Sequence, residues 1–578
     1  MVIVINDGLT GESPKRHRLI QSGLHRAHHL HLCASVNRGD LHLMQTVSPQ
    51  IETGQGTVRK LPRDRYVDFL RAYSIAFVVF GHWLATVVVW GPGVPISGHN
   101  VLEDVPVLKY WTWVNQVMPL FFFISGFSNF MTWRAMERRE KGYGAFVRAR
   151  VERMIRPLGF FLAAWLVLAN GLNAFGFGGE TLEKVSEYVA SPLWFMVAFM
   201  LLVIITPVMV TVHERFGIKA VLVMLAAVAG ADVLRIGFGL GAFAIVNVAI
   251  VWLCVQQVGF FYADGTLLRL PAKAYVALVV GALGLLVALV TVGPYPTSMV
   301  SVEDSSLSNM MPPSFALMVM GACHLGIAML ARPRISRVLE RPRVWIGVVA
   351  INLRMMTIFL WHLTAVPIVV ALMMAVDFPQ PSPGTLAWWG ARAAWMIMLA
   401  TILSPLVLAF GRLEVHRPNT AQIARRTSQQ APSKMLDDVS LTVGALLVAL
   451  SVMAFTYVGF DEALTVRPET PGGFLASPLL AAAYLVVGLS LMRTPSVRGV
   501  LLTGAGAIVW AVIASFGSGL GPLQGGVSDH VVGLISGGVL LAVALRTHLQ
   551  RRREAVPVRD PSGELQRSAF PTRRSSVA

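Results

Sequence analysis

The amino-acid sequence predicts an all-α polytopic membrane protein, on three grounds: composition, the length of the apolar runs, and the way charge is divided between them. Of 578 residues, 55% are hydrophobic and 14% charged, and the mean hydropathy is +0.62, far to the apolar side of soluble globular usage. The net charge of +17 is high enough to raise nucleic acid as a partner. Yet the lysines and arginines cluster between apolar runs, as they do in the cytoplasmic loops of membrane proteins. The lipid bilayer is therefore the expected partner, and nucleic acid is not. Cys33, Cys254 and Cys323 show no metal-ligand spacing, and no metal is expected.

A helix rises about 1.5 Å per residue, so about 20 apolar residues cross a hydrocarbon core of about 30 Å. Runs of that kind fall near 67–89, 112–133, 155–175, 191–212, 218–236, 241–262, 273–293, 312–331, 353–376 and 388–411. These ten helices form an expected membrane domain over 62–411. A polar linker, 412–437, separates them from about four further transmembrane helices near 438–459, 475–492, 499–517 and 530–546. This second group forms a C-terminal membrane extension over 438–546, followed by a disordered basic tail, 547–578.

Loop charge agrees with this order. Basic stretches such as "RAMERREKGYGAFVRARVERMIR" and "RPRISRVLERPR" fall on one side, and loops almost without lysine or arginine fall on the other. The positive-inside rule then places both termini in the cytoplasm. Residues 1–60 lack the basic region and apolar stretch of a signal peptide. They read as a disordered basic arm, or as sequence upstream of a true start such as Met44. The "HRAHHLHLC" run at 25–33 is a weak compositional hint of metal binding without a supporting context.

The first span, "DFLRAYSIAFVVFGHWLATVVVW", carries Arg71 and His82. Eleven positions are about three helical turns, so both side chains share one face, roughly 16 Å apart along the axis. Asp68, three residues earlier, is placed to partner the guanidinium. Two readings stand. Either the arginine snorkels and the histidine packs against a carbonyl, or the stripe is functional, since ionisable groups at membrane depth are expensive. In the functional reading, a fixed cation near the cytoplasm meets a phosphorylated donor, while a neutral imidazole deeper in removes a proton.

Other spans add polar groups. "FFFISGF" places Ser125 and Gly126 in an aromatic run, where close helix contact is the simpler reading. "RARVERMIRP" spaces Arg150, Arg153 and Arg156 three apart before Pro157. Solvated positive-inside charge accounts for Arg150, and Arg153 with Arg156 are candidates for a phosphate clamp. Trp194 reads as an interfacial anchor. Arg354 and His362, eight positions apart on one expected helix, lie about 80° from each other and form a second polar stripe. Asp232, His324 and Arg392 also fall in or near apolar runs.

Four of these stretches, in this order, resemble the acyltransferase family 3 membrane proteins over about 62–411. "DFLRAYSIAFVVFGHW" resembles the family's Arg, ten residues, His pattern, mapping to Arg71 and His82. "FFFISGF" is similar to its Ser-Gly-Phe motif, at Ser125, Gly126 and Phe127. "RMIRP" is similar to its Arg-x-x-Arg before proline, at Arg153 and Arg156. "IFLWH" resembles a late-helix ending, at His362, although this chain lacks the tyrosine that many members place before the leucine.

The resemblance implies a cell-membrane O-acyltransferase with acyl-CoA, acetyl-CoA above all, as co-substrate and no tightly bound cofactor. Its acceptor would be a cell-surface or lipid-linked glycan. It implies donor phosphates at Arg71, Arg153 and Arg156, His82 as general base or transient acyl carrier, and catalytic places for Ser125 and His362. The rival from another class is a transporter or flippase for a glycolipid or anionic solute, using the same arginine and histidine stripe as a proton relay. A third reading is a catalytically silent membrane scaffold.

Overall fold

The computed structural model describes residues 64–91, 94–302, 307–414, 434–462, 467–470, 474–493, 496–516, 523 and 526–554. The N-terminal arm with its histidine run and Met44, most of the linker, and the tail beyond 554 lie outside these residues.

α1 (Arg65–Ala85) starts at Asp64, whose carboxylate accepts hydrogen bonds from the Tyr66 and Val67 amides and suits the positive end of the helix dipole. It ends four residues before the expected limit of the first span. The β-branched run Thr86–Val89 and the Gly-Pro-Gly after Trp90 favour an extended chain and a turn. Thr86–Gly91 (β1) accordingly pairs antiparallel with Val94–Asn100 (β2).

The chain continues through α2 (Leu108–Asn115), α3 (Met118–Glu137), α4 (Tyr143–Leu172), α5 (Glu180–Ala190) and α6 (Trp194–Phe216). α7 (Ile218–Asp232), α8 (Ala244–Ala263), α9 (Ala272–Thr291) and α10 (Phe315–Val338) follow. The ninth expected span, 353–376, is divided between two helices, Met355–Trp361 and Ala365–Ala375, and the first of them is bent against the helix before it. α11 (Pro342–Leu353) and α12 (Met355–Trp361) meet at 59°, ahead of α13 (Ala365–Ala375) and α14 (Leu386–Phe410). Past the linker come α15 (Lys434–Val458), the short strands β3 (Arg467–Thr470) and β4 (Phe474–Ala476), then α16 (Pro478–Met492), α17 (Val497–Phe516) and α18 (Val527–Glu554).

Eleven of the described helices are long and apolar enough to cross a membrane, and up to twelve do so when the bent pair counts as one span. This is a multi-pass, predominantly helical membrane protein. Three of the fourteen expected runs stand outside the eleven. They are α3, whose Ser125, Ser128, Asn129 and Arg134 reduce its hydropathy, the run 353–376, which is split into the short helices α12 and α13, and α16 with 15 residues.

Small residues set the central helix contact. A Cβ at Gly126 of α3 would collide with the backbone carbonyl of Gln256 on α8, and one at Gly259 would collide with that of Phe123, so the two helices approach as only glycine permits. Fully buried Phe122, Phe146, Leu158, Phe161, Leu162 and Met196 fill the layer beside this contact.

α15 belongs to the same core. Its Leu441, Ala445, Val448, Val452 and Phe455 pack into the cluster that holds Phe122 and Phe161. Asp438 accepts from the Gly144 amide at 2.8 Å, and Arg148 pairs with Asp437 at 2.9 Å.

Candidate active site

Two histidines, 280 residues apart in sequence, meet at the end of α1. His82 lies in its last turn, and His362 is the residue that ends α12. His82 Nδ1 is 2.8 Å from His362 Nε2, with the rings parallel to within 10°. His362 Nδ1 is 2.6 Å from the Phe359 carbonyl. A carbonyl only accepts, so the Nδ1 of His362 carries the hydrogen. The Nε2 of a neutral His362 must then accept from His82 Nδ1–H. That leaves the lone pair of His82 on Nε2, an atom with no hydrogen-bond partner among the described residues.

The pair is braced. His362 is fully buried, its carbonyl accepts from Trp83 Nε1 at 3.0 Å, and the Trp83 carbonyl accepts from Trp395 Nε1 at 3.0 Å.

The break between α11 and α12 sets the position of His362. Arg354 occupies the break, at φ −121° and ψ 14°, and turns its guanidinium to the Val407 carbonyl at 3.4 Å. Arg354 and His362 thus stand at the two ends of α12, with Arg354 turned to Val407 and His362 to His82. Glu414 closes the start of α12, accepting from the Met356 amide at 3.0 Å, the Thr357 amide at 3.1 Å and the Thr357 hydroxyl at 3.0 Å.

Arginines gather nearer the start of α1. Arg71 pairs with Asp68 at 3.2 Å, as the three-residue spacing predicts, and donates to Ser128 Oγ at 2.7 Å. Arg150 donates to Asn129 Oδ1 at 2.5 Å, and its Nε is buried without a hydrogen-bond partner. Arg71 and Arg153 lie close enough for their charges to act on it.

Arg153 and Arg156 are both exposed. The expected clamp of Arg153 with Arg156, and a solvated Arg150, are thus rearranged: Arg150 turns inward beside Arg71, and Arg156 faces out. At about 100° per residue, three positions turn a side chain back by about 60°, so Arg156 sits about 120° from Arg150.

Ser125 is buried and accepts a long, 3.5 Å hydrogen bond from Asn129 rather than touching either histidine. The serine on the arginine face is Ser128, which sequence reasoning missed. Its signal was present, since 125, 128 and 129 recur on one face of α3. Among the described residues no group of three His, Cys, Asp or Glu side chains stands together as metal ligands.

A family model described as an acyltransferase domain, that of acyltransferase family 3, matches residues 64–411, more than half of the chain. The chain belongs to acyltransferase family 3. It is a membrane acyltransferase, and the family domain runs from the cap of α1 to the end of α14, enclosing the histidine pair and the arginines. Glu414 and α15–α18 lie beyond the family match. No curated protein and no solved structure matches the chain.

Proposed function

We propose that this membrane acyltransferase takes an acyl group, acetyl in the simplest case, from acyl-CoA and places it on a hydroxyl of a cell-surface or lipid-linked glycan at the plasma membrane. The observation that carries the reading is the histidine pair, whose hydrogen bonds fix one tautomer and leave His82 Nε2 as an oriented base. His82 Nε2 takes the hydroxyl proton as the oxygen attacks the thioester carbonyl. The C–S bond breaks, an ester forms, and the departing CoA thiolate takes the proton back from the imidazolium. His362 holds the ring and its tautomer, and so acts as a positioning residue.

Arg71, Arg150 and Arg153 are the groups for the donor phosphates, with Arg156 at the rim, because guanidinium forks match phosphate oxygens. The basic loops make their side the cytoplasmic one, with both described ends of the chain there, so the donor enters from inside. Ser125 takes no step in this reading. No tightly bound cofactor is required.

The test supplies isotope-labelled acetyl-CoA to membranes from a host lacking the gene, carrying either wild type or His82→Ala. Label entering a glycan or lipid fraction with wild type alone supports the reading. Equal label in both removes His82 as the base. Label in neither, with other acyl donors also tried, returns the protein to the transporter reading.

A further inference from the structure

Among the arginines turned into the protein, Arg150 and Arg392 have no carboxylate partner in the described residues, and Arg392 is the more deeply buried of the two. Arg71, Arg148, Arg235 and Arg332 each face a carboxylate, at 3.2, 2.9, 2.9 and 3.6 Å. Arg392 is more than nine-tenths buried, yet it forms no ion pair with any described residue. Among the described residues its one hydrogen bond goes to the Thr86 carbonyl at 2.5 Å, and its buried Nε has no hydrogen-bond partner. Trp388 and Trp395 flank the guanidinium at 4.7 and 5.5 Å from the ring centroids. Their π faces favour a cation but do not neutralise it.

The location is informative. Thr86 caps the end of α1, one turn past His82, and its hydroxyl donates to the His82 carbonyl at 2.7 Å. The same hydroxyl meets Tyr188 Oη at 2.5 Å. Arg392 is therefore tied to the histidine end of α1, remote from the arginines at its start. The helix end offers it a partial negative charge, and no carboxylate among the described residues completes the neutralisation in a largely dry site.

We propose that Arg392, with Tyr188 and Trp388 beside it, binds an anionic oxyacid group, a carboxylate or a phosphate, carried by the acceptor. A planar guanidinium with a free Nε matches such a group, and the two tryptophans exclude water that would otherwise screen it. Arg392 reaches His82 through one shared residue, since Thr86 takes the guanidinium hydrogen bond on its carbonyl and gives its hydroxyl to the His82 carbonyl, and this shared residue is the ground for placing the anion on the molecule whose hydroxyl His82 deprotonates. Assigning the anion to the acceptor rests on the acyl-transfer reading, whereas the anion site itself does not.

The experiment uses the full chain purified in detergent, as wild type, Arg392→Lys and Arg392→Gln. Thermal unfolding is followed with glucuronate, inorganic phosphate, glucose or chloride at matched ionic strength. Glucuronate or phosphate is expected to raise the wild-type Tm where glucose and chloride do not, and Arg392→Gln is expected to lose that response. Without ligand, Arg392→Gln should be at least as stable as wild type, since it removes an uncompensated charge. A response to glucuronate alone identifies a carboxylate, and a response to phosphate alone identifies a phosphate-bearing acceptor.

Absence of any anion response in wild type, or a Tm that falls in Arg392→Gln with the response unchanged, overturns the proposal and makes Arg392 a cap for α1. In the transfer assay, Arg392→Gln should raise the KM for an anionic acceptor by about 10- to 100-fold with little change for a neutral one. An anion-stabilised protein that transfers no acyl group would keep the site and remove the acyltransfer reading of it. Transfer to neutral and anionic acceptors alike, untouched by Arg392→Gln, would do the reverse.

Discussion

Replacing Glu414 with alanine should disable His362 from the far end of α12. The carboxylate accepts from Met356 N, Thr357 N and Thr357 Oγ1 at 3.0–3.1 Å. Loss of a helix cap costs about 1–2 kcal/mol, and hydrogen bonds to a charged group contribute about 1.5–3 kcal/mol each. Because these overlap at one helix end, a net loss of about 2–3 kcal/mol is expected. α12 has seven residues, about 10 Å of helix, so a tilt of about 10° at its start moves the other end by about 2 Å.

That displacement breaks the 2.8 Å bond between His82 and His362. A misplacement of this size lowers turnover by about 10²-fold, while the donor KM, set around Arg71 and Arg150, stays within about twofold. The assay is steady-state transfer of labelled acetyl, with thermal unfolding of the same samples. Burial raises the Glu414 carboxyl above its usual range, against the opposing hydrogen bonds from Met356 and Thr357 and the Arg354 charge.

A raised folded pKa means the group's contribution is full below the unfolded value and is lost as pH rises through the folded one. Wild type should therefore gain stability relative to the Glu414→Gln variant as pH falls from neutral. Unchanged turnover in Glu414→Ala, despite a lower Tm, would refute the link from Glu414 to His362.

Further outcomes are expected at the site and in the core. His82→Ala should lower transfer by about 10² to 10⁴, and His362→Ala should lower turnover without raising the donor KM, both read in the labelled-acetyl assay. Arg150→Gln should raise the donor KM about 10-fold or more, while Arg156→Gln stays within about twofold, since only Arg150 is turned inward beside Arg71. Gly126→Ala should lose about 1–3 kcal/mol or more in detergent unfolding, because its Cβ meets the Gln256 carbonyl. A chain ending at Glu414 should fail to accumulate as folded protein, since α15 supplies Leu441, Val448 and Phe455 to the central cluster.

The sequence by itself determined the membrane class, the helical runs and the approach of Asp68 to Arg71. Each follows from a local quantity: hydropathy over about 20 residues, or spacing within one helix. It also held the acyltransferase motifs in order. Where local signals competed, it was less decisive. The β-branched run after Ala85 was apolar enough to extend a span, yet pairs as a hairpin. The arginine triplet was regular enough to suggest a clamp, yet its members face different ways.

Only the tertiary structure decided what faces what. Periodicity names the side of a helix but not the neighbour that covers it, so the meeting of His82 with His362, and the fixing of their tautomers, could not be read from either motif. The bend at Arg354, its cap at Glu414 and the unpaired Arg392 beside Thr86 have the same origin. They depend on backbone and side-chain partners brought together across tens to hundreds of residues, 306 in the case of Arg392 and Thr86. Hydrogen bonds act over about 3 Å in space, a distance that one-dimensional spacing does not encode.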